Sequence, residues 1–100
     1  MAYRILFASG VADDLRDLRA FDRSRILDEI DEQLTHQPDV STRRRKLLVG
    51  LDPPWDHVPP VWELRIGGWR VYYDVDSETE CVNVRAIREK PPHQSTEQTL

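Results

Sequence analysis

One hundred residues, 39% of them hydrophobic, fit one domain built on a single core and leave little room for a second. A net charge of −4 argues against a chain drawn as a whole to nucleic acid, and the absence of a long apolar run argues against a membrane span. The N-terminus lacks the apolar core and cleavage region of a secretory signal, so a cytoplasmic protein is expected.

A lone cysteine, Cys81, cannot staple the fold, and His36, His57 and His93 stand too far apart in sequence for a metal-ligand motif. Neither a metal nor a cofactor is expected. The charges segregate: Val11 to Thr35 holds eight acidic residues against four arginines, whereas Arg43, Arg44, Arg45 and Lys46 form an unbroken basic run.

In chain order, Tyr3 to Phe7 is short and β-prone, with Arg4 among apolar residues, and predicts a first strand. Ser9 is the expected N-cap of a short amphipathic helix carrying Val11, Leu15 and Leu18, with Asp13 and Asp14 near its positive end. Phe21-Asp22 reads as a corner. Asp22 or Ser24 then caps a second helix with the stripe Ile26, Leu27, Ile30 and Leu34, ending near His36 because Pro38 disfavours helix before it. Such a helical hairpin must bury its stripes against another layer.

Pro38 to Pro60 carries five prolines and no sustained periodicity, so a long connection is predicted. It delivers the basic run to the mouth of a sheet, buries some of Leu47, Leu48, Val49 and Leu51, and is either pinned by Trp55 or leaves that ring exposed. Trp62 to Asp76 then reads as a β-hairpin about Gly67-Gly68, a type I′ or II′ turn. Cys81 to Arg88 is a third strand after an acidic turn, and the polar tail from about residue 91 is expected to be mobile.

Alternation assigns Trp62, Leu64, Ile66, Val71, Tyr73, Val75, Val82, Val84 and Ala86 to a buried face. Arg65, Arg70 and Arg85 fall opposite, with Tyr72, Asn83, Cys81 and Ile87. That side is either a phosphate-binding surface, suited to the planar donor fork of arginine, or an ordinary solvated face on which Glu63 and Asp74 pair with the arginines.

The order strand, helical hairpin, proline-interrupted connection and "WELRIGGWRVYYDVD…VNVRAIREKPP" resembles the RelE/ParE superfamily of type II toxin–antitoxin toxins over nearly the whole chain. The likeness is most specific at Leu64-Arg65, Gly68, Trp69-Arg70 and Tyr73, and Thr42 to Lys46 resembles the basic segment of many members. It implies an α+β fold: an N-terminal strand, a helical hairpin, then an antiparallel sheet of three further strands with the helices on one face. It also implies a small antitoxin encoded alongside.

RelE-like members are ribosome-dependent mRNA endonucleases and ParE-like members poison DNA gyrase, so one fold serves two chemistries. By resemblance, Arg70 matches the arginine used at the scissile phosphate, and Lys90 the basic residue after the last strand. Arg65, with Arg85 nearby, would complete a phosphate clamp. Arg43, Arg44, Arg45, Lys46, Arg85 and Arg88 would hold nucleic acid. Glu63 replaces a common lysine, and Pro91-Pro92-His93 stands where nucleases carry a tyrosine. Either His93 moves the proton, its pKa lying near neutrality, or cleavage is absent. The expected function is that of a ribosome-dependent mRNA endonuclease, the alternatives being a gyrase inhibitor and a binding module without toxicity.

Overall fold

The computed structural model describes residues 2–100. In order the elements are β1 (Arg4–Phe7), α1 (Ser9–Arg16), α2 (Ala20–Leu34), β2 (Arg45–Leu48), β3 (Val61–Ile66), β4 (Trp69–Asp76), β5 (Cys81–Glu89) and α3 (Thr96–Thr99). The strands form one sheet in the order β1-β5-β4-β3-β2. All neighbours are antiparallel except β1 and β5, which run parallel with Arg4 opposite Cys81 and Phe7 opposite Val84. The class is the α+β arrangement expected, with one more strand than the sequence suggested: β2 lies inside the stretch read as a loop.

Apolar alternation decides what the sheet buries. Trp62, Leu64 and Ile66 of β3, Val71 and Tyr73 of β4, and Val82 and Val84 of β5 share a core with Val11 of α1 and with Ile26, Ile30 and Leu34 of α2. The α2 stripe is the predicted one, three of its members being fully covered and Leu27 half-buried. Helix starts are less regular than the sequence suggested. Ala8 rather than Ser9 occupies the N-cap of α1, and Arg19 that of α2, neither with a side-chain bond to the helix.

The hairpin turn is resolved by one dihedral. Gly67 has φ +57° and Gly68 is not in the left-handed region, so the positive angle falls at the first turn residue, as in type II′. A side chain at Gly67 would be strained and would also press on the Arg25 guanidinium 3.2 Å away.

Tyr72 and Tyr73 are wholly covered, on opposite faces of β4. The Tyr73 hydroxyl donates to Pro38 O at 2.6 Å and ties the β2 approach to the core. Burial, foremost, pushes both phenols well above the ordinary 10.0. The folded chain therefore keeps protons that the unfolded chain releases, so stability is unaffected below that value and falls as pH rises past it. Denaturant midpoints between about pH 9 and pH 11 should decline, and Tyr72→Phe and Tyr73→Phe should each flatten the decline.

Candidate functional site

The face turned away from the helices carries the predicted arginines. Cross-strand register sets Arg65 opposite Arg70 and Arg70 opposite Arg88, a row across three strands. The row depends on an irregularity. Tyr73 faces Val84 but Tyr72 faces Ala86, so Arg85 is an extra residue and the alternation of β5 reverses there. Ala86, expected in the main core, packs instead with Tyr72, and Ile87, expected beside the arginines, joins the helix side. Both placements correct the sequence reading, which carried strict alternation through the strand.

Contrary to expectation, part of this face is covered. Tyr72 and Ala86 join Leu48 and Val61 in a second small core, closed by Leu51, Trp55 and Leu100. The Trp55 ring lies 5.8 Å from that of Tyr72 and settles the open question about this side chain by roofing the sheet. The tail folds down beside it: Ser95 and Gln98 form a capping box at the start of α3, and Thr99 is buried. Pro91 to Ser95, ahead of this short helix, are exposed.

On this face most of the cations are already engaged. Arg70, only 8% exposed, donates through Nη1 to Gly67 O at 2.7 Å and Trp69 O at 2.8 Å, and its Nε is buried without a partner. Arg85 donates Nε to Asp74 Oδ2 at 2.8 Å and Nη2 to Oδ1 at 3.3 Å. Arg88 donates to Asp14 Oδ2 at 3.0 Å, an oxygen that also accepts the Ile87 N–H at 3.1 Å. Lys90 lies 3.4 Å from Thr96 Oγ1, which donates to Glu63 at 3.1 Å. Arg65 is exposed. His93 sits on an exposed turn beyond β5, with no hydrogen bond to its ring among the described residues.

The basic run divides in the same way. Arg45 is 8% exposed, on the helix side of the sheet, and donates to Val40 O at 3.0 Å and Gln33 O at 2.6 Å. Arg44 pairs with Glu29 and donates to Arg65 O, which leaves Arg43 and Lys46 exposed. The sequence therefore named four neighbouring cations of which two point outward. The partners that hold the others were the harder part to foresee. Asp74 was recognisable by its parity with Tyr72, whereas nothing in the local pattern places Asp14 of α1 beside Arg88.

The chemistry available follows from these contacts. Fixed guanidinium groups stabilise negative charge but do not carry protons near neutrality. The Tyr72 hydroxyl is buried beside Glu63 without a hydrogen bond of normal geometry, and burial first, then the Glu63 charge, raises its pKa far above neutrality. It keeps its proton throughout the physiological range. A cleft of about 460 Å³ opens between the first turn of α1, Trp55 and the Arg85 and Arg88 side chains. Among the described residues no group of three or more His, Cys, Asp or Glu is placed to hold a metal ion, and no helix is long and apolar enough to cross a membrane.

The model of one protein family, the ParE toxin of type II toxin–antitoxin systems (parDE), matches residues 5–90. The chain belongs to the ParE toxin family. No curated protein matches this ParE-family toxin. Its fold is that of solved RelE structures. A chain of the RelBE2 toxin–antitoxin complex from Mycobacterium tuberculosis is 20% identical with TM-score 0.68, over 90% of this chain and 100% of that one. The archaeal RelE–RelB complex from Pyrococcus horikoshii gives 22% identity and TM-score 0.69, over 95% and 100%. The isolated Escherichia coli RelE toxin gives 21% and 0.69, over 95% and 89%.

Proposed function

We propose that this toxin arrests growth by binding and blocking a protein target, DNA gyrase, rather than by cutting mRNA on the ribosome. It acts in the cytoplasm, and a small cognate antitoxin holds it in check. The observation that carries the reading is the state of Arg70, which is 8% exposed and whose Nη1 is held by the Gly67 and Trp69 carbonyls of its own hairpin. Metal-free RNA cleavage needs a 2′-hydroxyl activated, a leaving oxygen protonated and a phosphorane stabilised. Guanidinium groups such as those of Arg65, Arg70 and Arg85 serve only the third need, and the Lys90 ammonium lies against Thr96 Oγ1. His93, the one neutral-range candidate, stands exposed on the tail. A target gripped by shape needs none of this chemistry. The ParE family match supports the same reading, and the antitoxin-bound relatives support a partner of that kind.

A ribosome-dependent mRNA endonuclease is the second reading, favoured by the arginine row, since a line of guanidinium groups is a surface that a single-stranded polyanion can follow. Arg43, Lys46 and Arg88 would then extend the contact with nucleic acid. Expression of the toxin alone, followed by parallel assays of DNA integrity and of mRNA ends, separates the two. Gyrase-dependent linear plasmid with intact mRNA is expected. Cut mRNA with intact DNA would overturn the proposal in favour of cleavage, and harmless expression would leave a binding module.

A further inference from the structure

The sheet ends at β1 on one side and β2 on the other. Arg4 N–H donates to Glu80 O and Ala8 N–H to Val84 O, each at 2.9 Å, so the even residues carry the bonds to β5 and the N–H and C=O groups of Ile5 and Phe7 point outward. The Tyr3 N–H, which shares that direction, is taken by Thr35 O at the end of α2. Ile5 and Phe7 have no such neighbour among the described residues. Leu6 and Phe7 are 45% and 46% exposed. A groove of about 370 Å³ runs between β1 and α2, walled by Tyr3, Ile5, Phe7, Leu27 and Ile30, and Asp31 is the one charged residue in its lining. Its surroundings are acidic too. Burial first, then the charges of Asp39 and Glu80, raises the Tyr3 phenol above its ordinary value, and Asp28 and Glu32 stand exposed beside Asp31 on α2. Arg4, the one cation of the strand, alternates to the opposite face, where its Nη2 lies 3.5 Å from Cys81 Sγ.

We infer that the β1 edge seats a basic, extended segment of the toxin's protein target, which adds a strand to the sheet and turns one face, apolar and cationic, onto the groove and its acidic rim. The inference rests on the reading above that the target is a protein that handles DNA, and deepens it by naming where the toxin grips and what it grips. Backbone pairing supplies affinity in this mode and side-chain pockets supply selection. Charge chooses the occupant. Nucleic acid is repelled by these carboxylates. A second copy, paired edge to edge about a two-fold axis, would set both α2 helices on one face of the joined sheet, with Asp28, Asp31 and Glu32 against their own likes. An enzyme that holds DNA carries cationic surface for that purpose, and a segment of it meets this rim favourably.

The test begins with a titration of the purified full chain by a blocked synthetic peptide of about nine residues in which threonine alternates with valine and lysine, so that the latter two share one face. A peptide with glutamate for lysine is the counterpart. Backbone amide NMR and hydrogen exchange supply the readout. The lysine peptide should protect the Ile5 and Phe7 amides, and the glutamate peptide should not bind. Asp28→Lys with Asp31→Lys should weaken binding at least about tenfold. Phe7→Pro removes an outward N–H without touching the β5 ladder and should abolish binding, its fold verified by thermal unfolding. Asp52→Lys, at an exposed carboxylate of the connection, should change nothing. The same variants are then assayed for binding to purified DNA gyrase, where the same order is expected. No binding at about millimolar peptide, equal binding of the glutamate peptide, protection centred on β2, or gyrase binding that every variant retains would overturn the inference. Protection of β1 by the peptide, with no binding of the unaltered toxin to gyrase, would overturn the gyrase assignment and leave the docking edge standing.

Discussion

Replacing Asp74 with alanine should destabilise the fold by about 3–5 kcal/mol, the range for removing one member of a buried, hydrogen-bonded charge pair. The carboxylate is 1% exposed and is saturated by four donors: Val58 N–H at 3.0 Å, Asn83 Nδ2 at 2.9 Å, and Arg85 Nε and Nη2 at 2.8 and 3.3 Å. Its loss strands a guanidinium and releases the connection at Val58, which helps hold the Trp55 roof. Denaturant unfolding measures the effect. The double change of Asp74 and Arg85 to alanine should be less damaging than the sum of the single changes, because the arginine's stranded charge leaves with it. Full additivity would show that the pair contributes no coupling.

The second large effect separates two chemistries at one residue. If Arg70 stabilised a phosphorane, Arg70→Gln would lower the rate by about 10²–10³-fold, the scale for deleting a charge-stabilising donor. In the gyrase reading the side chain fastens the hairpin turn, so inhibition of gyrase supercoiling should stay within about threefold once the variant is shown to be folded. Dose–response curves for wild-type and variant toxin against gyrase, with ribosome-bound mRNA assayed in parallel, decide between them. A hundredfold loss in a fully folded variant would return Arg70 to the reacting phosphate.

Much of the fold could be read from local periodicity, and the reasons for the exceptions are physical. The α2 stripe and the β3–β4 hairpin are specified by residues a few positions apart, so pattern sufficed. Strand β2 was invisible because its four residues, Arg45 to Leu48, carry two cations, and because its burial comes from β3 and α2 rather than from its own pattern. The error at Ala86 and Ile87 has one origin, the extra residue at Arg85, since a period of two cannot survive an insertion. The candidate site was legible in composition but not in state. Sequence placed Arg65 and Arg70 on one face, yet Arg70 turns back on the Gly67 and Trp69 carbonyls of its own hairpin, and Arg88 meets Asp14 of α1, remote in the chain.

The pairing of β1 with β5 has a consequence for synthesis. Its two strands, joined by the Arg4 to Cys81 contact across a separation of 77 residues, lie at opposite ends of the polypeptide. The first strand must wait, unpartnered, until the last is delivered, and loop closure over such a span slows assembly. A nascent chain that has emerged only as far as the hairpin therefore still lacks the one strand that pairs with β1, and the five-stranded sheet closes only when β5 is delivered.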